Sequence, residues 1–288
     1  MRLRTKNAWT GLALVLPLTL GCLLFYGIPF VMVGWFSVVK GTGASAEFVG
    51  ADHFTDLLHN PVFKLAAKNT LAFLVLGLTL LLVIAYAIAL LLRDPVRRSN
   101  FLQSVIILPY VMPVVGTVVL VDVLFTETGL WNQAYVAMGL PAQDWLGSDR
   151  AFWIILGLYL WKNTGYAVVL LLSGLVTIPR EHYDAAEVDG ASGWQKLRYI
   201  TVPQMWYSVF FALVFSLINA FKCFREIFLI GGDKPAESIY MLQHFINNCF
   251  QKLSYGKMAA ASILLTVFLC LLLGLGYRWV MRKEACKE

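Results

Sequence analysis

Ionisable side chains occur inside segments of this chain that are otherwise apolar. Lys162 lies near the middle of the apolar run 150–176, between Trp161 and Asn163. A charge at the centre of a bilayer is costly, and such a group usually faces a cavity or a partner of opposite charge. These three residues are therefore predicted to line a pathway for a polar solute. The alternative is a structural role for Lys162, as a snorkelling cation or as the partner of a carboxylate.

A second group of polar residues lies towards the end of the next apolar run. Lys222 and Glu226 are four residues apart, so they share one face of a helix and are predicted to form an ion pair. Counted from the start of their run, they lie about 27 to 33 Å along the helix axis, in the outer third of a membrane. Asn219 and Phe221 join the candidate pathway because amides and aromatic faces suit a sugar. Asp122 reaches a similar height and is a candidate partner, and a purely structural ion pair is the alternative.

The composition is that of a membrane protein with several spans. Of 288 residues, 59% are hydrophobic and 14% are charged, whereas a soluble domain carries about 25% charged residues. The five cysteines and four histidines are scattered, so they predict neither a disulfide framework nor a metal site. Phosphate-binding loops and the usual hydrolase motifs are absent from the sequence. We therefore expect no enzymatic activity and no cofactor.

Six apolar runs must position these polar groups, and each is near or above the length of about 20 residues that crosses a bilayer. They cover approximately residues 8–39, 66–92, 101–125, 150–176, 204–230 and 258–281. The expected fold class is all-α, with both termini on one side of the membrane. The first run is too long for the apolar core of a cleaved signal peptide, so we expect a retained helix. Pro109 and Pro113 predict that the third helix faces protein or a cavity.

Basic residues indicate the orientation of these helices. The termini, the turn after the second run and the long polar segment after the fourth hold thirteen Lys and Arg residues, and the opposite segments hold seven. The positive-inside rule thus places both termini and the polar segment in the cytoplasm of a cell-membrane protein. Because topology accounts for the net charge of +6, no nucleic-acid partner is expected.

The polar segment 178–203 has the signals of two short helices joined by a turn. Pro179 favours a helix start, Gly190 can adopt the left-handed conformation that ends a helix, and Ser192 is a suitable N-cap for the next one. Ala185 and Ala186 form a smooth face that the backbone of another protein can approach closely. A segment of this kind predicts a docking partner; a solvated connection is the alternative.

The residues of this segment also match a known motif. The motif is Glu-Ala-Ala, three residues, Gly, nine residues and Ile-x-Leu-Pro, and it belongs to the permeases of binding-protein-dependent ABC importers. The chain resembles it at every spacing, with Asp and Val replacing Glu and Leu, through Asp184, Ala185, Ala186, Gly190, Ile200, Val202 and Pro203. Asp189–Ser192 and an altered Gly231–Tyr240 segment are similar to the carbohydrate-importing branch, and the short basic tail resembles its first permease type.

This resemblance implies a MetI-like permease fold with six transmembrane helices. Residues 1–65 would form an N-terminal helix and an external loop, and residues 66–284 a five-helix permease domain. The family also implies three protein partners: cytoplasmic ATPase subunits that hydrolyse ATP, a second permease in a heterodimer, and an extracytoplasmic binding protein that delivers a sugar or oligosaccharide. The expected ATPase-coupling residues are Tyr183, Asp184, Ala185, Ala186, Asp189, Gly190, Ile200 and Pro203.

Other functions remain open at this point. An importer of peptides, phosphate or amino acids would share the motif. A secondary transporter would instead use Lys162, Asp122 and Glu226 as a charge relay, although inverted repeats are not evident. A membrane-embedded enzyme or scaffold lacks a catalytic constellation in the sequence.

Overall fold

The computed structural model describes residues 2–41, 46–93 and 100–285. The basic turn predicted at 94–98 and the last three residues of the tail lie outside the described residues. Within these ranges the chain is helical, apart from an antiparallel pair of strands in which Val39–Lys40 (β1) faces Glu47–Phe48 (β2). Six helical segments are long and apolar enough to cross a membrane. The predicted all-α, six-span fold class is therefore confirmed.

The chain forms two compact units. The first contains Met1–Phe63 and Ile246–Leu269, and the second contains Lys64–Phe245 and Cys270–Glu288. These units group segments that are distant in sequence, whereas the predicted boundary at residue 65 divides the chain once; that boundary stays a prediction.

The helices follow one another closely along the chain. They are α1 (Arg2–Cys22), α2 (Ile28–Val38), α3 (Asp52–His59), α4 (Pro61–Leu92), α5 (Asn100–Val111), α6 (Val114–Phe125), α7 (Leu130–Ala137), α8 (Ala151–Thr177), α9 (Arg180–Val188), α10 (Gly193–Lys196), α11 (Val202–Gln204), α12 (Trp206–Lys222), α13 (Phe224–Gly231), α14 (Leu242–Gln251) and α15 (Tyr255–Ala285). Two π-helical turns, Leu23–Gly27 and Leu197–Thr201, join α1 to α2 and α10 to α11.

In the first unit, the first span bends where a proline interrupts its hydrogen bonds. Pro29 has no N–H and its ring crowds the carbonyl one turn earlier. The wide turn Leu23–Gly27 precedes it, and Ile28 N–H donates to Leu23 O, five residues back. The kink is thus a property of the local sequence. The start of α4 is local as well, because the side chain of Asn60 accepts hydrogen bonds from the first backbone amides of that helix.

The third apolar run is not one helix, as the sequence had predicted. Helix α5 ends at Val111 and α6 starts at Val114, with Pro113 in an extended conformation (ψ 149°) between them. The missing N–H of this proline explains the break. The candidate span instead continues from Val114 to Ala137 through α7, where a loop had been expected. A loop was also expected at 231–257, which contains α14.

Helix α8 is the core of the second unit. Half of its most apolar window is buried, against 33% or less for the other candidate spans. It packs on α5 and α12. Gly165 makes the first contact possible, because a Cβ there would collide with the carbonyl of Ile106. Tyr159 is 1% exposed and donates a hydrogen bond from its hydroxyl to Ser216 O at 2.8 Å. These contacts fix the height of α8 relative to both neighbours.

Candidate functional site

A polar cavity of about 230 Å³ lies beside the middle of α8 in the second unit. Helices α8, α12 and α13 supply most of its wall, and α5 adds the ring of Tyr110. The ring of Tyr110 stacks on that of Tyr166, with 4.6 Å between centroids and 10° between planes. Its polar lining consists of Asn163, Asn219, Lys162, Lys222, Arg225 and Glu226. The arrangement combines an aromatic face, two amides and four charged groups in one small space.

An ion pair between α8 and α13 dominates the electrostatics of this cavity. Lys162 Nζ donates to Glu226 Oε1 at 2.6 Å, and the two side chains are 14% and 6% exposed. Lys162 also reaches Thr117 Oγ1 on α6 at 3.4 Å. The second carboxylate oxygen, Glu226 Oε2, is buried and has no hydrogen-bond partner within the described ranges. The cavity therefore contains a neutralised charge pair with one vacant acceptor.

This pairing differs from the prediction made from spacing alone. Glu226 pairs with Lys162, and Lys222 is exposed with no ion pair among the residues that the structure describes. The reason is the break at Cys223, where α12 ends and α13 begins. Two residues four apart share a face only on a continuous helix.

The structure brings together five of the seven predicted pathway residues. Those that line the cavity are Lys162, Asn163, Asn219, Lys222 and Glu226. Trp161 does not: its side chain is 43% exposed and borders a separate apolar depression between α6 and α8. Phe221 is half-buried outside the cavity.

Two lining residues were missed by the sequence reasoning. Arg225 carried a usable signal, because it is a charge inside an apolar run one helical turn from Lys222. Tyr110 lies between the prolines that divide the third run. Its position on the cavity wall depends on how α5 packs against α8, which no local pattern encodes. Asp122 is exposed and lies outside the cavity lining.

A second candidate site is the connection from α8 to α12, which folds as two short helices around a turn. Helix α9 ends with the hydrogen bonds Gly190 N–H to Glu187 O and Ala191 N–H to Ala186 O, at 3.0 and 2.8 Å. Gly190 has φ +74°. This is the Schellman arrangement, which a glycine adopts without strain. Ser192 then starts α10 through reciprocal hydrogen bonds with Gln195.

Side-chain contacts hold the two halves of this connection together. Tyr183 Oη lies 2.9 Å from Thr201 Oγ1, and the guanidinium of Arg93 lies 3.8 Å above the Tyr183 ring. Lys196 Nζ donates to Glu187 Oε2 at 2.8 Å. The hydrogen bond and charge of Lys196 lower the pKa of the Glu187 carboxyl. Both halves therefore present one preformed surface.

The outer face of this connection is strikingly apolar for a surface that contacts no other described segment closely enough to be buried. Val188 is 90% exposed, Trp194 69% and Tyr199 70%. The other predicted coupling residues split into two groups. Asp184, Ala185, Asp189 and Gly190 are exposed, and Tyr183, Ala186, Ile200 and Pro203 are half-buried. Exposed apolar surface of this kind is typical of a protein-binding site.

Comparisons with known proteins agree with these features. The family model of the "binding-protein-dependent transport system inner membrane component" matches residues 82–284. The probable ABC transporter permease protein YurN of Bacillus subtilis is 32% identical, over 88% of this chain and 89% of its own. The sn-glycerol-3-phosphate transport system permease protein UgpA of Pectobacterium atrosepticum is 30% identical, over 96% of each chain. The trehalose/maltose transport system permease protein MalF of Thermococcus litoralis is 27% identical, over 91% of this chain and 90% of its own.

Two solved structures have the same fold. One is a bacterial ABC transporter involved in the import of the acidic polysaccharide alginate, with a TM-score of 0.82 and 24% identity over 98% of this chain and 99% of that chain. The other is a bacterial alginate ABC transporter in complex with a periplasmic protein that holds an alginate pentasaccharide. Its TM-score is 0.81, at 22% identity and 96% coverage of each chain.

Proposed function

Because the chain belongs to the family of binding-protein-dependent transport system inner membrane components, we propose that it carries a sugar or oligosaccharide across the cell membrane. As a member of this family it is a multi-pass membrane protein and the transport subunit of an ABC importer, and a separate ATPase hydrolyses ATP. The names of its relatives support the substrate class, since they include permeases for trehalose and maltose, lactose, and arabinooligosaccharides.

The ATPase docks, in this proposal, on the surface formed by α9, the turn at Gly190 and α10. The observation that carries the proposal is the exposure of Val188 and Trp194 on a preformed turn, which leaves apolar area uncovered in this chain. Ala185 is exposed beside them and allows close backbone approach. The two termini and this surface lie in the cytoplasm, in agreement with the distribution of basic residues.

The solute passes beside the cavity on α8. Its amides, charged groups and the Tyr110 face can contact hydroxyls and the C–H face of a sugar ring. Trp161 and Phe221 are no longer included, because their side chains lie elsewhere. The same geometry argues against a charge relay through Asp122, which is exposed outside the cavity. A second permease completes the pathway as the partner in a heterodimer, and an extracytoplasmic binding protein delivers the solute.

The docking surface can be tested with a matched pair of glycine substitutions. Gly190 and Gly139 both have positive φ, +74° and +77°, and neither has an atom within 4 Å of a Cβ position. Tryptophan therefore strains the backbone similarly at either position, but only Gly190→Trp adds bulk to the proposed docking surface. Gly139 follows α7, in a segment predicted to be external.

We expect the unaltered chain and the Gly139→Trp variant to co-purify with an ATP-binding subunit and a second permease. The Gly190→Trp variant should insert into the membrane and keep the second permease, but lose the ATPase. The subunits would be identified by mass after mild detergent extraction. Retention of the ATPase by Gly190→Trp, or its loss from both variants alike, would contradict docking at this surface.

A further inference from the structure

The charges that line the cavity are not balanced. Three side chains are cations, namely Lys162, Lys222 and Arg225, and one is an anion, Glu226. Lys162 and Glu226 neutralise each other at 2.6 Å. Lys222 and Arg225 form no ion pair or hydrogen bond with any residue in the described part of the chain. Two positive charges therefore face the cavity without a counter-charge.

Uncompensated cations near the end of a membrane span need a reason. A lysine or arginine in a span usually pairs, faces water or reaches the headgroup region. Lys222 ends α12 and Arg225 lies in the first turn of α13, so both flank the break at Cys223. Both border the same cavity as the buried ion pair. Their position is that of a receptor for negative charge at the cavity wall.

Neutral polar groups in the same cavity are also unsatisfied. Glu226 Oε2 is buried with no hydrogen-bond partner within the described ranges. Asn219 is 8% exposed, and its side-chain amide forms no hydrogen bond with the residues that the structure describes. Buried polar groups normally have partners. One free acceptor and one free amide are suited to the hydroxyl groups of a ligand.

We propose that the solute is an acidic carbohydrate, whose anionic group binds Lys222 and Arg225 while its hydroxyls bind Glu226 and Asn219. The proposal rests on the proposed function as a carbohydrate importer and narrows its substrate class. A carboxylate, a phosphate and a sulfonate share this chemistry, because each accepts charge-assisted hydrogen bonds from ammonium and guanidinium groups. Neutral sugars would leave both cations unpaired.

The test uses the complete importer in lipid vesicles, with its second permease, ATPase and binding protein. The vesicles would be offered a mixed polysaccharide hydrolysate that an anion exchanger has separated into neutral, carboxylated, phosphorylated and sulfonated fractions. Mass spectrometry of the vesicle contents then identifies what accumulates. We expect accumulation from one of the acidic fractions, and the fraction identifies the anionic group.

Charge variants connect that selectivity to this chain. Lys222→Gln with Arg225→Gln should lower uptake of the acidic solute by about tenfold or more for each cation, since hydrogen bonds to charged groups contribute about 1.5–3 kcal/mol. The exchange Lys222→Arg with Arg225→Lys keeps both charges and should keep most of the uptake. Lys64→Gln with Lys68→Gln is the control, because it removes the same charge from exposed positions outside the cavity.

The outcomes separate this inference from the proposed function. Accumulation of neutral sugars, equally in the unaltered importer and in the double Gln variant, would refute the acidic substrate and leave the carbohydrate importer intact. Loss of the second permease from the double Gln variant would show that Lys222 and Arg225 pair with that subunit, which also refutes the inference. If no fraction accumulates although the assembled complex hydrolyses ATP, the carbohydrate function itself is wrong.

Discussion

Replacing Lys162 by Leu should destabilise the second unit more than any surface substitution. The change leaves the Glu226 carboxylate, which is 6% exposed, without the cation 2.6 Å away. Across this distance the gross attraction is about 6 kcal/mol if the effective dielectric constant is about 20. Desolvation of both groups offsets much of that energy, but an abandoned buried charge typically costs about 3–5 kcal/mol. A loss of this size should lower the unfolding midpoint by roughly 10 °C.

The assay is thermal unfolding of the purified complex in detergent, with transport measured in parallel. Removing both charges, as Lys162→Leu with Glu226→Leu, should recover most of the lost stability because no isolated charge remains. Transport by this stable double variant then distinguishes two roles. Weak uptake with normal assembly means that the pair contacts the solute, and normal uptake means that the pair is structural.

Two results would refute this reasoning. If Lys162→Leu unfolds at the same temperature as the unaltered chain, the pair is not an isolated buried unit and water must reach Glu226. If the double variant is no more stable than Lys162→Leu, the loss comes from packing of the lysine stem. Lys162→Met, which retains an unbranched apolar stem, would then be expected to recover stability without any change at Glu226.

Two further predictions concern packing and pH. Gly165→Val should prevent stable folding because its Cβ collides with the carbonyl of Ile106, whereas Gly157→Val on the same helix has no atom within 4 Å and should fold normally; detergent-stable yield would show the difference. The carboxyl of Glu187 should titrate below its ordinary pKa of 4.5 because Lys196 binds its charged form, and Lys196→Gln should return it towards that value in carboxyl-carbon NMR. The stabilising contribution of this lowered pKa is present above pH 4.5 and is lost as the pH falls through the lower folded-state value, so a pair that survives more acidic conditions unchanged would contradict it.

The connection between α8 and α12 could be predicted in detail because its signals are local. Pro179, Gly190 and Ser192 each act on backbone groups within a few residues, and the structure has a helix, a left-handed turn and a capped helix at those positions. What the sequence could not provide was the set of contacts across the connection. The hydrogen bond from Tyr183 to Thr201 spans 18 positions and depends on how the two halves fold back.

The cavity was predicted less well, because its geometry depends on packing between helices. The polarity of Lys162, Asn219 and Glu226 was sufficient to select them, since charges and amides are conspicuous in apolar runs. Their partners were not predictable from spacing. The helix break at Cys223 has no proline or glycine to announce it, and this break removes the expected alignment of Lys222 with Glu226.

Helix α8 links the two candidate sites, and the location of its contacts indicates where movement is possible. Lys162 lies about 24 Å along the helix from Ile178, at the rise of about 1.5 Å per residue, and α9 starts two residues later. Gly165 and Tyr159 hold α8 closely to α5 and α12, so these three helices are expected to move together. The break at Cys223 separates α13 from that group, and the ion pair with Glu226 crosses the break. A displacement of α9 that reaches the cavity must therefore either carry α13 with it or separate the pair, which makes its stability a determinant of the transport cycle.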